Sequence, residues 1–121
     1  MAYDDYMADR VRQVFADKHV SFVEKRMMGG LCFMVDDKMC VGVGQDKEFN
    51  DRLMVRLDPE IYADALTRSG AQAMDFTGRP MKGFVFVYAE GFDDDEDLER
   101  WIQLALDFNP KAKSSKKTRK K

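Results

Sequence analysis

From Tyr3 to about Lys18, the apolar residues Tyr3, Met7, Val11, Val14 and Phe15 recur at spacings of three and four. That spacing predicts an amphipathic helix. Asp4 and Asp5 fall in its first turn and Lys18 in its last, which suits the helix dipole. The period then shortens. Val20–Met28, Leu31–Val35, Lys38–Val43 and Leu53–Leu57 read as short strands. Asp36-Asp37 sits where a two-residue hairpin turn would fall. Such a turn sets Phe33 opposite Cys40 and Cys32 opposite Val41, so the two cysteines point to opposite faces and do not pair. "GQDKEFND" (Gly44–Asp51) is a polar loop.

A second helix is expected after Asp58, with Asp58 as N-cap and Pro59 in the first helical position. Ile61, Ala65 and Leu66 form its buried side, and Gly70 is its stop. "AQAMDF" adds a short strand. In Lys82–Ala89, Phe84, Phe86 and Tyr88 alternate with Val85 and Val87, so both faces are apolar and a central strand is expected. Gly83 at its start allows a bulge or close packing. The last helix is "DDDEDLERWIQLALDF". Asp93–Asp97 cap it, Leu98, Trp101, Ile102, Ala105 and Leu106 form its stripe, and Pro110 ends it. The order predicts an α+β, two-layer domain: a mostly antiparallel sheet of five or six strands with three helices.

A chain of 121 residues fits one such domain. At that length folding buries roughly 65% of the unfolded surface, enough for one core without disulfides or metals. The N-terminus carries acids where an export signal would be basic. The longest uncharged stretch, Met27–Val35, is nine residues, far short of a membrane span. Two cysteines without an export signal point to a reducing cytoplasm. Charge changes the picture more. Lys111, Lys113, Lys116, Lys117, Arg119, Lys120 and Lys121 give the last eleven residues +7 and no acid. The rest keeps 13 basic against 22 acidic groups, a net −9. Residues 1–110 are therefore expected to form the domain and 111–121 a disordered basic tail that can neutralise phosphates without reading sequence.

Candidate chemistry is sparse. His19 is the only histidine and the cysteines lack ligand spacing, so no metal site is expected. Asp93–Asp97 lack the alternating oxygens and the glycine of a calcium loop. A thiol enzyme would need a histidine next to Cys32 or Cys40; His19, at the end of the first helix, leaves one such arrangement open, and the cysteines otherwise read as small strand residues. "MMGG" (Met27–Gly30) lacks the lysine and spacing of a phosphate loop and reads as a glycine corner between strands. The pattern implies no enzyme and no cofactor. The cations of "FTGRPMKG" are not needed for strand formation. Arg26, Gly29, Gly30, Arg79 and Lys82 are therefore the candidate ligand or partner surface, able to offer cations and backbone N–H groups to an anion.

Four segments, "KRMMGGLCFMVDDKMCVGV" (Lys25–Val43), "LMVRLDPEIYADAL" (Leu53–Leu66), "MDFTGRPMKGFVFV" (Met74–Val87) and "LERWIQLAL" (Leu98–Leu106), together resemble the N-terminal domain of the TfoX/Sxy competence regulators. They come in the family's order and span nearly everything but the tail. The resemblance implies a two-layer α+β domain of the secretion-chaperone-like type. It also implies a bacterial cytoplasmic regulator linked to DNA-uptake genes, acting with other regulators rather than as an enzyme. Full-length regulators of this kind carry a second, helical domain; here a lysine-rich tail follows the last helix, so a stand-alone member is expected. The expected function is a regulatory or interaction domain that works through a protein partner, with DNA or RNA contact by the tail. The alternatives are a homodimeric protein-binding module without nucleic acid, and a domain binding a small anionic ligand.

Overall fold

The computed structural model describes the backbone of residues 3–27, 30–75 and 80–112, and their side chains except those of Met27, Asp75 and residues 80–82. The helix α1 spans Asp5–Asp17 and buries Met7, Val11 and Phe15 on the expected stripe. His19 ends it with φ 58°; the N–H groups of His19 and Val20 donate to the carbonyls of Ala16 and Phe15, the paired bonds of a left-handed helix stop.

Six strands follow: β1 (Val23–Met27), β2 (Gly30–Val35), β3 (Lys38–Gln45), β4 (Asp51–Arg56), β5 (Ala71–Asp75) and β6 (Pro80–Tyr88). They form one sheet in the order β1-β2-β3-β4-β6-β5, with every neighbouring pair antiparallel. β6 is interior, as its two apolar faces required. Gly83 begins the regular part of that strand at φ 92°, and its carbonyl accepts from the N–H of Leu57 at 2.7 Å. β1 starts at Val23, three residues later than expected.

Asp36 and Asp37 make the two-residue turn with φ 55° and 63°, both left-handed as a type I′ hairpin demands. The register beyond it differs from expectation. Met34 opposes Met39, but a bulge then sets Phe33 against Val41 and Cys32 against Gly42. Cys40 is the extra residue of that bulge. The cysteines still lie on opposite sides, Cys40 in the helix-side core and Cys32 in the other cluster, and both are free.

Between β4 and β5 the chain makes a 3-10 turn (Pro59–Ile61) and a short α2 (Tyr62–Ala65). Asp58 Oδ1 accepts from the Glu60 N–H at 2.9 Å, so the expected cap holds while the helix is shorter. An unexpected four-residue α3 (Ala89–Phe92) joins β6 to α4 (Asp95–Phe108). Asp94 caps α4 by accepting from Glu96 at 3.0 Å. Arg10 reaches Asp95 and Lys18 reaches Glu99, both at 2.9 Å, so α1 and α4 lie side by side and run the same way. The helices share one core with the valines and leucines of the sheet.

The described chain runs past the expected boundary at 110. A 3-10 turn covers Asn109–Lys111, and Ala112 is buried. Lys38 Nζ donates to the carbonyls of Asn109 and Pro110, and Asn109 Nδ2 to that of Val35. Lys111 itself is mostly exposed, 3.9 Å from Asp58. The cations Lys113, Lys116, Lys117, Arg119, Lys120 and Lys121 lie outside the described residues.

Candidate interaction face of the sheet

Strand alternation divides the sheet into two chemically different faces. Leu53 and Val55 of β4 and Val85 and Val87 of β6 point to the helices, together with Phe33 and Val41. The opposite positions carry methionine, phenylalanine and arginine. Cys32, Met34, Met54 and Met74 form a second buried cluster, with Met39, Phe84 and Phe86 packed against it. Among the described residues, no helical one belongs to that cluster. Four of the described methionines sit there, and only Met7 is in the helix-side core.

Two arginines of β4 lie across this face. Arg52 opposes Tyr88 and its guanidinium sits 3.6 Å from the centre of the Phe86 ring. Arg56 opposes Phe84 and lies 5.4 Å from that ring. Guanidinium–ring contacts of this kind are worth about 0.5–2 kcal/mol, more where water is excluded. Arg52 Nη1 donates to the Tyr88 hydroxyl at 3.1 Å, and that hydroxyl donates to Asp46 Oδ2 at 3.1 Å. Asp46 is fixed in turn. Its carboxylate accepts from the N–H groups of Glu48 and Asn50, each at 2.9 Å, and from Asn50 Nδ2. The Asn50 backbone N–H is the main reason its carboxyl is held down to about 2. The result is a chain, Asp46–Tyr88–Arg52–Phe86, that aims one guanidinium along the sheet. The loop it anchors presents Phe49, 78% exposed with φ 66°.

The concavity here, about 50 Å³ and lined in part by Gly42, Met54, Met74, Phe86 and Arg52, is water-sized rather than metabolite-sized. A larger groove of about 410 Å³ lies between α1 and α4, but its cations are already engaged. Arg10 binds the carbonyls of Phe92 and Asp93 as well as Asp95, and Lys18 binds Glu99 and Gln103.

The surface expected from sequence is placed only in part. Arg26 opposes Leu31, whose side chain is in the helix-side core, so Arg26 belongs to that face at the edge of the sheet. Gly30 instead lines the outer concavity beside Cys32. The two therefore do not converge. Gly29, Arg79 and the side chain of Lys82 lie outside the described residues. The cations found on the outer face are Arg52, Arg56 and Lys25, the last opposite Cys32. None was singled out by sequence. The available signal was that Arg52, Met54 and Arg56 alternate with Leu53 and Val55 just as Phe84 and Phe86 alternate with valines.

The thiols suit packing rather than chemistry. Burial pushes Cys32 up to about 11 and Cys40 up to about 12. Cys32 Sγ donates to Met34 Sδ at 3.7 Å. Reaction of both with a disulfide reagent at pH 8 should be slower than that of a free cysteine by on the order of 100-fold, because the thiolate is the attacking species. Both should react fast in denaturant, and a fast native-state reaction at either would contradict this burial. His19 lies at the α1 stop and is exposed. No group of three or more His, Cys, Asp or Glu residues able to hold a metal occurs among the described residues. No helix among them is long and apolar enough to cross a membrane.

No curated protein matches the chain. The family model described as the TfoX N-terminal domain matches residues 15–109, from the last turn of α1 through α4, and so takes in the whole sheet and both of its faces. The chain belongs to the TfoX N-terminal domain family.

Proposed function

We propose that this protein is a non-enzymatic regulatory domain that binds a protein partner through the helix-free face of its sheet, while its basic C-terminal segment contacts nucleic acid. The observation that carries the reading is the composition of that face. Methionine, phenylalanine, tyrosine and arginine are the residue types enriched in protein interfaces, and acids are depleted there. Here they collect on one side of one sheet. The buried, proton-retaining thiols and the water-sized concavity favour binding over catalysis. Family membership favours a regulatory role in the bacterial cytoplasm, with the genes of DNA uptake as its setting.

The test is affinity capture from the cytoplasm of the source cells, with and without nuclease, using the full chain and a chain ending at Ala112. Protein partners should survive nuclease and be kept by the shortened chain. Random DNA or RNA should bind only the full chain, with a slope of log affinity against log salt of about −0.7 to −0.9 per phosphate neutralised. Loss of every protein on nuclease treatment would overturn the protein half. Equal nucleic-acid binding by the shortened chain would overturn the tail half.

A further inference from the structure

The helix-free face differs from the rest of the molecule in charge as well as composition. Outside the last eleven residues the chain carries a net −9. Yet the strand positions that point away from the helices include Lys25, Arg52 and Arg56 and, among the described side chains, no acid. The nearest carboxylate in the Arg52 network, Asp46, lies beyond the strand and is reached only through the Tyr88 hydroxyl. Lys25 stands on the edge strand beside Val23, which is 61% exposed. The middle of the face is apolar, with Met34, Met54 and Met74 buried and Met39, Phe84 and Phe86 half-buried around them, and it has cations at its β1 and β4 sides. The half-buried thioether of Met39 can adapt to differently shaped apolar groups. The fixed guanidinium of Arg52 adds a planar fork suited to a carboxylate.

We propose that this face takes an extended or helical segment of another protein whose apolar anchors are flanked by Asp or Glu. The proposal rests on the reading of the molecule as a protein-binding domain and adds the chemistry of the occupant. The anchors would pack against Met39 and Phe84, half-buried members of the outer cluster. The flanking carboxylates would meet Arg52 and Lys25. A second copy of this chain fits less well, since face-to-face pairing brings these cations against their own kind. A single-stranded nucleic acid is also anionic, but it would stack on exposed rings, and here the Phe86 ring is already covered by Arg52.

A random peptide library displayed against the full-length immobilised chain tests this. The expected winners carry Leu, Phe or Met together with at least two acids. Each should lose about tenfold in affinity when Lys25→Gln and Arg52→Gln are combined. Because Arg52→Gln could disturb β4, Lys25→Glu, at an exposed position, is measured alone and should weaken the same peptides while leaving the melting curve unchanged. The proposal is overturned by winners without acids, by no winners, or by affinities that ignore both substitutions. It is likewise overturned by a dimer in sedimentation that these substitutions dissolve, or by a 20-mer of deoxythymidine that displaces the peptides at equal concentration. If captured cellular partners bind the substituted chain as well as the original, the protein-binding reading stands and this face alone fails.

Discussion

Replacing Phe33 with alanine is expected to cost about 4 kcal/mol of folding free energy and to lower the melting temperature by about 15 °C. Phe33 is fully buried in the middle of β2. Its ring lies 5.8 Å from that of Phe15 and 5.5 Å from that of Phe22, which themselves stack at 5.1 Å. The three rings join α1, the segment leading into β1, and the sheet. Removing the middle one leaves a ring-sized cavity and cancels two aromatic contacts, each worth about 0.5–1.5 kcal/mol beyond burial. Few neighbours can close the gap, since the bulge at Cys40 already fixes the local path of β3. Chemical denaturation measures the loss. Met34→Leu, the neighbouring position on the other face, is the control and should cost less than about 1.5 kcal/mol because volume is kept. A Phe33→Ala loss below about 1.5 kcal/mol would mean that α1 is not held through these rings.

Much of the fold can be read from local pattern, and its errors have local causes. The alternation of Phe84, Phe86 and Tyr88 against Val85 and Val87 marks a strand apolar on both faces, and that strand lies inside the sheet between β4 and β5. Asp36-Asp37 was readable as a tight turn because, apart from glycine, it is the short polar residues that best tolerate two successive left-handed conformations. The bulge was not readable. Leu31–Val35 and Met39–Val43 are apolar at nearly every position, so sliding one residue past another leaves the pattern looking intact. The helix α3 was missed for a different reason. "AEGF" has poor helix propensity, and the turn forms because Phe92 packs in the core and Gly91 receives a bond from Trp101.

The candidate face was harder to see than the fold. Arg52 and Phe86 meet only because β4 pairs with β6, while α2 and β5 intervene in the chain. Sequence shows which residues alternate, but not which strand lies beside which once a connection skips a neighbour. Arg79 and Lys82 stand out in the sequence beside glycines and a proline, whereas Arg52 and Arg56 sit in an ordinary alternating strand. The same topology puts the β4 arginines across from an aromatic row, where opposed and diagonal side chains are close enough to stack.

Gly91→Ala is expected to destabilise the protein by about 3 kcal/mol, although alanine is the better helix former. A Cβ at Gly91 would clash with the carbonyl oxygen of Ser69 and stand 2.6 Å from Cγ1 of Val87. Neither can give way cheaply. Ser69 precedes Gly70, which holds φ 77° and whose carbonyl accepts from the Tyr88 N–H at 2.8 Å. Val87 is a fully buried residue of β6. Moving Gly91 instead would strain the bond from Trp101 Nε1 to its carbonyl, 3.1 Å in a buried setting. Trp101 is the only tryptophan, so its fluorescence reports this junction directly during unfolding. Trp101→Phe removes that bond while keeping most of the packing and should cost less, about 1–2 kcal/mol. A neutral or stabilising Gly91→Ala would show that the close approach of α3 to the turn before β5 is absent. A loss larger than that of Trp101→Phe would instead identify backbone contact at Gly91, more than the indole hydrogen bond, as what locks the end of β6 and hence the position of the Tyr88 hydroxyl that accepts from Arg52.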